Sequence, residues 1–185
     1  MPSQATVWTA EMVRALPDDS LRHETVDGEH FVTAAPRRLH QRAVMRMAVL
    51  LHPYVARLGD AEVLQSPADI ELDPYTLVQP DVFVAPRAAG QPSEQWKDIS
   101  ELLLAVEVLS PSTARWDRSA KRLRYQRARV PEYWIVDLDA RVVERWRPDG
   151  EKPELLVASL AWRPQVSAEP LIIDLVRYFA EVIGD

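Results

Sequence analysis

The run Leu102-Leu-Leu-Ala-Val-Glu-Val-Leu109 constrains the fold more than any other segment, because its side chains are apolar at odd and even positions alike except at Glu107. A strand that is apolar on both faces has to be covered on both, which places it in the middle of a sheet with a layer above and a layer below. An ionised Glu in such a strand costs on the order of several kcal/mol unless a cation or metal lies beside it. A second acid, Asp81, follows Pro80 and opens another apolar stretch, Val82-Phe-Val84, 26 residues before Glu107. Carboxylates on adjacent strands repel each other, and a divalent cation is the simplest group that reconciles them. A Glu at a sheet end paired with a nearby Arg is the plainer alternative, and spacing alone leaves it open.

Upstream, Thr9 to Leu16 reads as a short helix with Thr9 as N-cap and Pro17 just past its end. Leu21 to Ala34 reads as a hairpin turning at Asp27-Gly28, a favoured pair for a primed two-residue turn. A long helix is expected from about Arg37 to Gly59, with Val44, Met47, Ala48 and Leu51 as its apolar stripe and Pro53 as a kink or interruption. Strands are expected at Ala61–Gln65, Ala68–Leu72, from Asp81, at Leu102–Leu109 and at Glu132–Leu138, with Arg141–Arg147 pairing with the last of these. Pro86 to Ser100 reads as a loop. Ser110-Pro-Ser-Thr113 supplies helix-start chemistry for a helix running to about Ala128, and Leu171 to Ile183 reads as a terminal helix. The alternation fits one domain over residues 1–185 of class α/β or mixed α+β, a central mixed sheet flanked by helices.

The chain has no cysteine, which removes disulfides and thiolate metal sites and suits a reducing cytoplasm. No leader pattern opens it, and no apolar run approaches the roughly 18 residues of a membrane span, so neither export nor a membrane location is expected. The net charge of −6 argues against nucleic-acid binding through overall charge. The distribution says something different: Arg115 to Arg129 carries +6, leaving −12 on the rest. A basic helix on an acidic body fits a phosphate backbone, and it equally fits a solvated Arg-rich face.

Glu107-Val-Leu-Ser-Pro-Ser-Thr113 continues to Asp117, Lys121, Tyr125 and Pro131-Glu-Tyr-Trp-Ile-Val-Asp137, preceded by Glu24-Thr-Val-Asp-Gly-Glu29 and His40-Gln41. This ordered set resembles the Uma-two family of restriction-endonuclease-like proteins, within the PD-(D/E)XK nuclease superfamily. The resemblance covers most of the chain. It implies a restriction-endonuclease-like core and a metal-dependent endonuclease acting on DNA, working as a homodimer. It also implies Mg2+ as cofactor, with Mn2+ as a substitute, held by Asp81, Glu107 and the backbone carbonyl of Val108. A catalytically inactive nuclease-fold module that binds nucleic acid or a partner protein is the alternative.

The resemblance leaves one position unfilled. The Lys expected two residues after Glu107 is Leu109, and Lys121 on the next helix is the substitute. Asp117, Lys121 and Tyr125 recur at a spacing of four and share a helix face, while Trp116, Ala120 and Leu123 make a rival apolar stripe. Glu24 is a secondary candidate as an outer acid, and His40 as a phosphate contact or a carboxylate-orienting group. Arg118, Arg122 and Arg129 lie within about 40° on a helical wheel and are the nucleic-acid-binding candidates. Arg129 stands where the family usually has Gly, in a position that asks for a left-handed residue.

Overall fold

All five residues of Leu104–Val108 are buried, and side chains from different parts of the chain cover the strand on its two faces. A computed structural model describes residues 6–87, 95–165 and 168–184. In chain order the elements are α1 (Ala10–Arg14), β1 (Arg22–Val26), β2 (Glu29–Thr33), α2 (Arg38–Leu58), β3 (Ala61–Gln65), β4 (Ile70–Asp73), β5 (Thr76–Val78), β6 (Val82–Pro86) and β7 (Leu104–Val108). Next come α3 (Ala114–Trp116), a π-helical turn over Asp117–Lys121, and α4 (Arg122–Arg127), which follow one another without a break. The chain ends with β8 (Tyr133–Asp137), β9 (Val142–Trp146), β10 (Glu154–Leu156), β11 (Ser159–Trp162), β12 (Leu171–Asp174) and α5 (Leu175–Ile183).

Strands β10-β9-β8-β7-β6-β3 form a six-stranded sheet in that order, parallel between β7 and β8 and antiparallel elsewhere. Its even-numbered residues Val82, Val84, Leu104, Val106 and Val108 face α2 and α5 through Met47, Leu51, Tyr54, Tyr178 and Phe179. The other face, through Phe83, Ala105, Tyr133 and Ile135, packs against Tyr125 of α4 and against Val26, Ile70 and Val78. Those last three belong to a second sheet of order β2-β1-β5-β4. The mixed α/β architecture is therefore the one expected, with helices on one face and a small sheet plus one helix on the other.

Local chemistry explains most boundaries. Thr9 caps α1 by accepting from Met12 N at 3.1 Å. Asp27 and Gly28 both have positive φ, 51° and 83°, the primed turn that follows the twist of β1 and β2. Gly59 (φ 83°) closes α2 in the left-handed region. Burying Leu51 completely contributes roughly 1.5–3 kcal/mol to holding α2 on the sheet.

Two expectations are corrected. Pro53 does not interrupt α2, which runs as one helix of 21 residues. Pro53 sits on the exposed face, where a missing helix bond costs less than in the core, while Leu51, Tyr54 and Val55 anchor the turn in the core. Leu171 does not begin a helix either: Leu171–Asp174 pairs with Ser159–Trp162, and Asp174 then caps α5 through Arg177 N at 2.9 Å. Ile172 is exposed and Ile173 buried, a period of two that a four-residue strand is too short to advertise. In the expected loop from Pro86, residues 88–94 lie outside the described residues, and Trp96–Asp98 makes one 3-10 turn.

Candidate active site

Asp81 and Glu107 meet because β6 and β7 are antiparallel neighbours. Val82 pairs with Val106, and the register carried on by one residue sets Asp81 opposite Glu107. The Asp81 carbonyl still accepts from Ser66 N at 3.2 Å, so the backbone is held in place there. Facing residues of an antiparallel pair point to the same side with Cβ atoms about 4.5–5.5 Å apart. Both acids are 2% exposed and belong to the Phe83/Ala105 face.

The π turn brings a third group to them. Asp117, Lys121 and Tyr125 are all buried on the inward side of their helix, at 3% exposure or less. The rival stripe stays at the core's edge: Leu123 is 42% exposed, Trp116 packs on Phe31 at 3.8 Å, and Ala120 is only partly buried against the core. Lys121 Nζ donates to Glu107 Oε1 at 3.1 Å and to Glu24 Oε1 at 2.8 Å, and lies 3.6 Å from Asp117 Oδ1. The Tyr125 hydroxyl adds a bond to Glu107 Oε1 at 3.3 Å. Gln79 N donates to Glu24 Oε1 at 2.7 Å, and the Tyr133 hydroxyl to the Asp117 carbonyl at 3.0 Å. A π turn inserted in an α-helix is a feature that concentrates at functional sites.

Asp81 is satisfied on both oxygens. Oδ2 accepts from Val108 N at 2.8 Å and from His40 Nε2 at 3.0 Å, and Oδ1 accepts from Arg22 Nη2 at 2.9 Å. His40, expected as a phosphate contact or a carboxylate-orienting group, is hydrogen-bonded to the Asp81 carboxylate. Val108 meets Asp81 through its N–H. Glu24 joins the cluster through Lys121, whose Nζ lies 2.8 Å from its Oε1. Arg22 was not singled out from sequence; the available signal was its spacing of two before Glu24, which puts both on one face of β1.

The electrostatics follow from four buried carboxylates, Glu24, Asp81, Glu107 and Asp117, facing the permanent cations Lys121 and Arg22. Burial alone would raise Asp81, but the His40 bond, the Arg22 charge and the Val108 N–H hold it down at about 2. Glu107 goes the other way: burial drives it well above the usual carboxylate range, Lys121 opposes this, and Asp81, Asp117 and Glu24 add to it. Asp117 is pushed up to about 6, first by burial, with Lys121 and a Thr113 hydrogen bond acting against it. Lys121 loses basicity to burial but more than regains it from Glu107, Glu24 and Asp117, so it keeps its proton. A site in which two neighbouring carboxylates are driven to opposite ends of the scale is a candidate for chemistry.

The Uma2 family model, described as "Putative restriction endonuclease", matches residues 10–174. The chain belongs to this family. Among solved structures, that of "a putative nuclease belonging to DUF820 from Anabaena variabilis" superposes with a TM-score of 0.77 at 16% identity, covering 95% of this chain and 99% of that one. At that identity the likeness establishes the fold. A comparison with curated proteins finds no match.

In this Uma2 protein the donor set suits a hard divalent cation. Asp81 and Glu107 supply oxygen, the cluster is short of positive charge, and Asp117 Oδ1 is buried without a hydrogen-bond partner. Among the described residues no group of three or more His, Asp or Glu side chains is set out to hold a metal by itself. Magnesium is commonly bound by one or two carboxylates, with water and substrate oxygens completing its shell.

Most of the basic segment's guanidinium groups make intramolecular pairs, several of them at the surface. Arg118 donates to Glu144 Oε1 and Asp137 Oδ2, both at 2.7 Å. Arg122 bonds Gln126 Oε1 at 2.8 Å and stacks on Trp146 at 4.6 Å. Arg129, at φ 58°, does occupy the left-handed position, and it bonds Asp149 at 2.6 Å. Arg124 is tied to Asp27 and Asp73, and Arg127 to Asp27. Arg37 and Arg38, just before His40 at the start of α2, are also exposed. Among the described residues no helix is long and apolar enough to cross a membrane.

Proposed function

We propose that this Uma2 protein is a magnesium-dependent endonuclease that hydrolyses phosphodiester bonds in DNA, with Asp81, Glu107 and Lys121 as its catalytic groups and manganese as a competent substitute. The observation that carries the reading is the buried convergence of two carboxylates on neighbouring strands with an ammonium 3.1 Å from one of them. When bound, the dication would neutralise the phosphodiester and lower the pKa of a water. Asp81, Glu107 and the Val108 carbonyl would hold it. Asp81 is suited to this, being ionised across the working pH range. His40 and the Val108 N–H fix its orientation.

Lys121 keeps its proton, so its role is to donate rather than to act as a base. It orients Glu107 and presents positive charge where the phosphate gains negative charge in the transition state. Tyr125, whose hydroxyl is raised well above its ordinary range by burial and then by Glu107, remains a neutral donor to the same oxygen. The exposed Arg37 and Arg38 would meet the phosphate backbone beside this site. The homodimer and the cytoplasmic setting rest on the resemblance and on the cysteine-free chain.

A second reading, a nuclease-fold module that binds without cutting, draws on the complete satisfaction of Asp81 by Arg22, His40 and Val108. Incubating the protein with plasmid, single-stranded DNA and RNA, in magnesium and in chelator, separates the two. Metal-dependent cutting of DNA is the expected result. Binding without cutting of any substrate favours the second reading.

A further inference from the structure

Arg22 occupies a place in the cluster that the proposed chemistry does not use. It bonds Asp81 Oδ1 at 2.9 Å, and among the described residues no other group is hydrogen-bonded to that oxygen. Oδ2 is committed to the Val108 N–H, a main-chain donor fixed between β6 and β7, and to His40. Any ligand that takes a single Asp81 oxygen therefore meets least resistance at Oδ1.

The two permanent cations differ in their freedom to leave. The Lys121 side chain is 4% exposed and serves Glu24, Glu107 and Asp117 at once. Arg22 is 20% exposed and is the first residue of β1, so its side chain has a short path to water. Its guanidinium is also drawn to Glu24 and Glu107, which together with Asp81 raise its basicity beyond the loss from burial. It is thus held by the same negative charge that would attract a dication. Two cations sharing one carboxylate oxygen in a buried site repel each other strongly.

Resting on the magnesium-dependent reading above, we infer that Arg22 is a positioning residue that stands in for the metal at Asp81 Oδ1. It competes with the dication for that oxygen and, when displaced to the mouth of the site, turns its planar fork to a substrate phosphate. Without metal, Arg22 occupies the place at Oδ1 that a dication would take. The exchange couples metal loading to the appearance of a bidentate anion-binding group.

The test is calorimetric titration of Mg2+ and of Mn2+, without nucleic acid, into wild type, Arg22→Gln and Arg22→Lys. Arg22→Gln should bind the dication about tenfold more tightly, equivalent to about 1.4 kcal/mol, and Arg22→Lys should stay close to wild type. With saturating metal, Arg22→Gln should raise KM for DNA more than it lowers kcat. A purely structural role would lower stability without tightening metal binding, so unchanged or weaker binding by Arg22→Gln overturns the inference while leaving the nuclease reading intact. Absence of metal binding in wild type removes that reading and this inference with it. Should Arg22→Gln not fold, the Arg22 side-chain NH resonance in labelled wild type decides: metal should abolish its protection from exchange, and unchanged protection refutes the displacement.

Discussion

Replacing Lys121 by Met keeps the length of the side chain and removes its charge. The Nζ atom lies 2.8 Å from Glu24, 3.1 Å from Glu107 and 3.6 Å from Asp117, in a place where the side chain is 4% exposed. Removing one partner of a buried ion pair costs about 3–5 kcal/mol, because the remaining charge has neither water nor a partner. Proton uptake limits this loss. Asp117, at about 6, and Glu107, raised well above the usual carboxylate range, lie above their unfolded values, so the native state binds more protons than the unfolded one. For such groups the stabilisation is complete below the unfolded value and is lost as pH rises through the folded one. The penalty of Lys121→Met should therefore be larger at pH 8 than at pH 5. At roughly 2–4 °C per kcal/mol for a chain of this size, thermal unfolding in chelator should show a fall of about 6–20 °C. Millimolar Mg2+ should restore part of the loss, since a dication replaces the missing charge. A melting temperature within about 2 °C of wild type at both pH values would refute the assignment of Lys121 as the counter-ion of the cluster.

Metal binding should release protons near pH 6, where Asp117 titrates, and the raised affinity of Glu107 for protons should add to the release; heats that do not vary with buffer ionisation enthalpy would contradict this. Asp81→Asn should be less stable than wild type at pH 5 by about 2 kcal/mol, the value of the shift from 3.8 to about 2. The gap should close as pH falls through about 2, in urea unfolding followed by circular dichroism. Arg37→Glu with Arg38→Glu should weaken DNA binding and flatten the log-affinity versus log-salt slope by about 0.7–0.9 for each phosphate no longer neutralised. Arg118→Glu should instead lower the melting temperature, because it sets a third acid beside Asp137 and Glu144; fluorescence anisotropy and thermal unfolding together separate the two effects.

The sheet was legible because β7 is a long apolar run interrupted only by Glu107 and a shorter apolar strand opens after Asp81, and burial on both faces explains both the run and the cost of its acid. The Asp27-Gly28 turn and the Gly59 stop were legible because their chemistry is local. Three-residue β5 and four-residue β12 were not, since such short strands carry too few alternations to stand apart from a helix. Helical spacing placed Asp117, Lys121 and Tyr125 on one face but left open which face turned inward; the π turn and the pull of three buried carboxylates on one ammonium decided it. Arg22 escaped notice because its partner Asp81 lies 59 residues away on another sheet. For the basic segment composition shows charge and not partners, which is why it fitted a phosphate surface and a solvated face equally; Asp27, Asp73, Asp137, Glu144 and Asp149 come from distant turns and strands to meet it.

The most direct test is the cutting of supercoiled plasmid at saturating Mg2+ by wild type, Asp81→Asn and Glu107→Gln side by side, with melting temperatures confirming that each is folded. Wild type should nick the plasmid in magnesium and not in chelator, and each variant should be slower by at least about a hundredfold, the scale on which electrostatic groups act in a transition state. An inert wild type, or variants that cut as fast as wild type, would contradict the account.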